Sequence, residues 1–158
     1  MAKGSSLFYF NTCRKDGVRD TMRNPENVLN SLREHSAQNN YSYDRLYRIL
    51  YNQDFLLMAY QTIYANKGNM TAGVDGQTID AMSLDRINRI ISNLKDEKYS
   101  PNPARRTYIP KKNGKMRPLG IPSIDDKLVQ EAMRMILEAI YDNNFEDTSH
   151  GFRPGKSC

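Results

Sequence analysis

From Tyr43 onward, apolar residues recur in steps of three and four, beginning with Tyr43, Leu46, Tyr47, Leu50 and Tyr51. That period belongs to a helix with one face on a core. Asn52 then offers an N-cap for a second helix carrying Phe55, Met58, Ala59, Thr62 and Ile63, which stops near Gly68. A third stripe, Leu84, Ile87, Ile90, Ile91 and Leu94, has Asp85, Arg86, Arg89 and Lys95 on its opposite side and predicts another core-facing helix. Ahead of these, Pro25 followed by Val28, Leu29 and Leu32 predicts a short helix that starts near its proline, and residues 1–23 read as mobile.

The pattern changes after Lys98. Tyr108 and Ile109 on one side, and Met116, Leu119 and Ile121 on the other, flank Asn113-Gly114, a strong hairpin signal because both residues tolerate positive φ. Pro110 and Pro118 cannot donate to a ladder, which makes this an edge or protruding hairpin. Ser123, with Asp126 three residues later, resembles a capping box opening a helix through about Tyr141. Its buried face is Leu128, Ala132, Met135, Ile136, Ala139 and Ile140. The fold class is therefore α+β. The chain divides into a polar segment over 1–40, a helical part over 41–98, and the hairpin, following helix and turn-rich end over 99–158.

A length of 158 residues supports one compact domain or part of a larger one. Lys plus Arg number 23 against 18 Asp plus Glu, a net charge of +5 that mildly favours a polyanionic partner. The charge is not evenly spread. Between Lys98 and Ile124 lie Lys98, Arg105, Arg106, Lys111, Lys112, Lys115 and Arg117, with Tyr99 and Tyr108 among them and no acid over 27 residues. A lysine-rich edge also protects against aggregation, but this concentration of cations with rings favours a nucleic-acid or nucleotide-phosphate surface.

Several other chemistries are set aside. No apolar run approaches the roughly 18 to 20 residues needed to cross a bilayer, and a cytoplasmic protein without membrane contact is expected. Cys13 and Cys158 stand apart, and His35 and His150 lack a partner at metal-ligand spacing, so reduced thiols and no zinc site are expected. The segment from Gly151 to Ser157 has three residues between its glycines where a Walker A loop has four, and it follows a polar run instead of a buried strand. Asp125 and Asp126 suit a helix start, and Asp75 suits a turn. Two-metal chemistry needs convergent carboxylates, and none stand out.

Three blocks together resemble the opening of group II intron reverse transcriptase/maturases: Asn66 to Gly76 with its Gly73-Val74-Asp75-Gly76, Tyr108 to Pro122, and Gly151 to Ser157. The likeness runs from about Tyr43 to the last residue. It implies helix-rich fingers with an N-terminal extension, a fingertip hairpin and the first part of a right-hand polymerase palm. It further implies that Lys111 and Arg117 neutralise the triphosphate of an incoming dNTP, with Lys112 as the alternate lysine. A strict two-residue Asn-Gly loop puts Lys112 and Lys115 on the face of Arg117, whereas a loop one residue longer puts Lys111 there. Phe152 and Arg153 become candidate template or nucleotide contacts, with core packing the other reading of Phe152. Lys67, Asn69, Arg105, Arg106, Lys115 and Lys156 become candidate RNA contacts.

The implied partners are group II intron RNA, an RNA template with its DNA primer, and dNTP. The implied cofactor is Mg2+ in the full-length enzyme. The family's metal-binding aspartates fall downstream of the third block, so these 158 residues are expected to bind without catalysing. Exposed palm surface would then favour self-association. The rival reading is a stand-alone RNA-binding module using the same basic hairpin without polymerase activity.

Overall fold

The structure, a computed structural model, describes residues 24–38, 40–66, 68–151, 153, 155 and 156. The mobility expected for residues 1–23 lies outside the described residues. Among the described residues, four α-helices and a two-stranded antiparallel sheet make up a mixed α and β architecture. Helix α1 (Pro25–Ser36) starts on Asn24, whose side chain accepts from the Glu26 amide, and packs against α4 (Ile124–Tyr141). Helix α2 (Gln53–Ala65) starts on Asn52, whose side-chain Oδ1 accepts from the amides of Asp54 and Phe55, satisfying donors that a helix start leaves orphaned. Helix α3 is Leu84–Lys95, capped by Ser83.

The predicted helix over 43–51 is present only in part. Leu46–Tyr51 wind as a 3-10 helix, and Arg45 just before it has φ 57°, a left-handed turn that breaks any right-handed path from Tyr43. The apolar spacing still served packing. Leu50 is buried, and the Tyr43 and Tyr47 hydroxyls donate to the carbonyls of Leu32 and Leu94.

One core joins α1 to α4 through Leu29, Leu50, Phe55, Leu56, Ile79, Ile87 and Leu128 among others. Leu84, assigned from sequence to the stripe of α3, is 53% exposed because it occupies the first turn, short of the contact; Ile87, Ile90, Ile91 and Leu94 carry the burial. On α4, Leu128, Ala132, Ile136, Ala139 and Ile140 are buried as the spacing predicts, and Met135 is partly buried. Strands β1 (Arg105–Pro110) and β2 (Met116–Ile121) pair with each other and project from this body, with Ile121 their only buried residue.

Candidate nucleic-acid interface

The hairpin is held at its root by a buried carboxylate. Asp126, in the first turn of α4, is 2% exposed and accepts from the Tyr99 hydroxyl (2.7 Å), the Asn102 amide (3.1 Å) and the Ser123 hydroxyl (2.6 Å). The Asp126 amide in turn donates to Ser123 Oγ, so the serine cap expected from sequence is present, while the buried Asp126 carboxylate takes the Ser123 hydroxyl and not the backbone amide that a full capping box would use. Burial, and then the hydrogen bond to Asp126, raise the Tyr99 phenol above its ordinary pKa. Tyr99 and Asn102 precede β1 directly, so this network fixes where the hairpin leaves the body.

The loop Thr71 to Gly76 docks beside that root. Gly73 lies against the backbone of α4's cap: a Cβ there would stand 2.6 Å from Ser123 Cα and 2.7 Å from the Pro122 carbonyl oxygen, so only glycine allows the approach. Arg105 Nε donates to the Ala72 carbonyl (3.0 Å) and Lys127 Nζ to that of Thr71 (2.6 Å). Burial lowers the Lys127 pKa, with Arg105 adding to the effect and Asp75 opposing it. Arg86 reaches Asp125 at 2.5 Å, Asp75 at 3.6 Å and the Gln77 side chain, tying loop, α3 and α4 together. Sequence reasoning placed Arg86 on a solvent face and missed this joint; the acids at Asp75 and Asp125 were the available signal. Asp75 also accepts from the Gln77 amide, the turn expected of it.

The hairpin loop has three residues, Lys112, Asn113 and Gly114. Lys111 pairs with Lys115 through a 2.8 Å amide-to-carbonyl bond, Gly114 donates to the Lys111 carbonyl, and Gly114 takes φ 76°. Ile109 therefore stands opposite Arg117. Since side chains alternate along a strand, Lys111, Lys115 and Arg117 share one face with Arg105, Thr107, Ile109 and Leu119. Lys112 sits within the loop instead of on that ladder.

Among the described residues, Arg106, Lys111, Lys112, Lys115 and Arg117 have no acidic partner within ion-pair distance, and all are exposed. In the body, Arg86, Arg134 and Arg153 are each paired with carboxylates, whereas Arg33, Arg45, Arg48 and Arg89 are not within ion-pair distance of an acid among the described residues. What sets the hairpin apart is that its unpaired cations lie in a stretch with no acid from Lys98 to Ile124, where a polyanion would meet no local carboxylate.

The remaining candidates are scattered. Lys67 and Phe152 lie outside the described residues. Asn69 donates its side-chain amide to the Tyr64 carbonyl near the end of α2. Arg153 is turned inward: it donates to the Asp142 carboxylate (2.8 Å) and to the carbonyls of Asp142, Glu146 and Ser149, and it lies over the Phe145 ring. In this arrangement its guanidinium holds the segment after α4. Lys156 is exposed, away from any element. Among the described residues no three His, Cys, Asp or Glu side chains converge to hold a metal ion. Among the same residues no helix is long and apolar enough to cross a membrane.

Known proteins match this chain over most of its length. A family model described as reverse transcriptase (RNA-dependent DNA polymerase) matches residues 109–158. The group II intron-encoded protein LtrA of Lactococcus lactis subsp. cremoris is 51% identical over 133 residues, covering 83% of this chain and 22% of LtrA. An uncharacterized 91 kDa protein in the cob intron of Schizosaccharomyces pombe is 48% identical over 139 residues, covering 84% of this chain and 17% of that protein. Protein YkfC of Escherichia coli is 44% identical over 117 residues, covering 72% of this chain and 30% of YkfC. The chain thus spans between 17% and 30% of the length of these relatives. With intron-encoded proteins matching across the helical body and the reverse transcriptase model matching from the hairpin onward, the chain belongs to the group II intron reverse transcriptase family.

Proposed function

We propose that the chain forms the fingers and first palm segment of a group II intron-encoded RNA-directed DNA polymerase and splicing maturase. On this reading the hairpin grips the triphosphate of an incoming dNTP through Lys111 and Arg117. The surrounding basic surface holds intron RNA or the RNA template with its DNA primer. The observation that carries the reading is the set of five exposed, unpaired cations on one projecting hairpin, with Lys111, Lys115 and Arg117 on a single face. The carboxylates for a Mg2+-dependent transfer belong, on this reading, to the rest of the full-length enzyme.

The 158 residues should retain structured intron RNA on a filter, with affinity falling steeply between low and moderate salt, because several phosphate contacts release several counterions. An absence of retention even at low ionic strength would remove the RNA-binding half of the proposal. The same preparation should add no deoxynucleotide to a primed RNA template with magnesium. Extension above background would show that it holds metal-binding carboxylates not recognised among its residues.

The outer side of α4 supports a third expectation. Met133, Leu137 and Tyr141 follow at four-residue steps and remain 47%, 47% and 53% exposed, with Phe145 beyond them at 49%. Such a stripe favours self-association. Sedimentation should show a concentration-dependent dimer that Leu137→Lys abolishes, and a monomer at all concentrations would refute it.

A further inference from the structure

The triphosphate reading uses one face of the hairpin and leaves the other without a role. On that outer face Arg106, Tyr108 and Pro110 of β1 stand opposite Gly120, Pro118 and Met116 of β2. All six are exposed, Tyr108 at 55% and Met116 at 54%. At the hairpin's root the first face meets the body, where Thr107 is half-buried and Ile121 buried; on the outer face Gly120 lies near the Ala104 methyl, and all six residues stay exposed.

Its geometry is stiff. Lys111 and Lys115 form a hydrogen-bonded pair, so alternation makes 110–116 and 108–118 non-hydrogen-bonded pairs. Side chains approach most closely in such pairs, whose Cα atoms are about 4.5 Å apart. The Tyr108 ring therefore rises beside the Pro118 ring, and both prolines fix their own φ. The charge around it has one sign, since no acid occurs from Lys98 to Ile124 and Arg106 on the same face has no acidic partner among the described residues. A fitting partner is anionic and also presents flat apolar surface. Single-stranded RNA offers both, whereas a duplex hides its base faces in its own stack.

We infer that the outer face of the hairpin, centred on Tyr108 and flanked by Met116, Pro118 and Arg106, is a stacking platform for an unpaired base of single-stranded RNA. This rests on the nucleic-acid reading above and extends it with a base-contacting face distinct from that of Lys111 and Arg117. The base lies on the Tyr108 ring, and the adjoining phosphate pairs with Arg106.

The test compares two probes on the intact chain: a short oligoadenylate, and an abasic ribose-phosphate strand of equal length and charge. Tyr108→Ala should weaken oligoadenylate binding about 5- to 100-fold, the equivalent of losing one base–aromatic stack, while abasic-strand binding and the salt slope stay unchanged. Tyr108→Phe should keep the affinity of the native chain, since the ring and not the hydroxyl makes the contact. Equal weakening of both probes, or no change in either, would overturn the platform. A paired substitution of Lys112 and Lys115 by alanine keeps the two readings apart. If it weakens both probes while Tyr108→Ala weakens neither, the basic surface stands and the stacking face falls. If it too changes nothing, the nucleic-acid reading of the hairpin falls first.

Discussion

Asp126→Ala should lower the unfolding free energy by about 3 to 5 kcal/mol, because it leaves buried donors without an acceptor. Three groups converge on this carboxylate: the Tyr99 hydroxyl, the Asn102 amide and the Ser123 hydroxyl. Their loss also removes the anchor at the point where β1 begins. Urea unfolding followed by circular dichroism gives the stability. Hydrogen exchange at the Asn102 amide reports the local effect and should accelerate more than exchange in the core of α2. Asp126→Asn should fall between the native chain and the alanine variant: its carbonyl oxygen can still accept from the Asn102 amide and the Ser123 hydroxyl, but its NH2 group cannot accept from the Tyr99 hydroxyl, which must rotate to take a hydrogen bond instead. A change under about 1 kcal/mol for Asp126→Ala would mean that the network does not fix the hairpin.

That network shows what the sequence revealed and what it withheld. Ser123 and Asp126 announced a helix start through local spacing, and the helix begins there. Nothing local announced that Tyr99 and Asn102, 27 and 24 residues away, would bond to the same carboxylate, because that contact depends on how the segment before β1 crosses α4. The same limit hid the role of Arg86. Its neighbours on α3 mark a polar face, but its partners Asp75 and Asp125 arrive from a loop and another helix. The 3-10 winding after Arg45 was likewise invisible, since apolar steps of three and four fit one turn of either helix.

The hairpin register, by contrast, was legible from Pro110. In a two-residue Asn-Gly loop Lys112 would pair with Lys115, which places Pro110 opposite Arg117 at a hydrogen-bonded position where its missing N–H breaks the ladder. Lengthening the loop by one residue moves Pro110 to a non-hydrogen-bonded position, the kind Pro118 occupies in either register, where a proline nitrogen faces outward and costs nothing. The structure has that longer loop, with Gly114 as its left-handed residue. Pro110 thus decides which lysine joins Arg117. Asn113-Gly114 alone leaves the choice open.

In a polymerising form of the protein, Arg117→Ala should impair nucleotide use far more than template binding. Charge-assisted hydrogen bonds from a guanidinium to a triphosphate are worth roughly 1.5 to 3 kcal/mol each, equivalent to a loss of about ten- to a hundred-fold in kcat/KM for dNTP. Lys111→Ala should behave similarly, because the three-residue loop sets Lys111 on the face of Arg117. Lys112→Ala should have a smaller effect, confined to RNA affinity, since Lys112 lies within the loop. Steady-state extension with varied dNTP concentration, run beside separate template-binding titrations for the three variants, measures both quantities. The order of effects carries the argument, for a diffuse electrostatic surface would make the three substitutions equivalent. If Arg117→Ala left nucleotide kinetics intact and weakened only RNA binding, the hairpin would be a clamp on the nucleic acid. Its cations would then be matched to a phosphate backbone, and the triphosphate assignment would have to be given up.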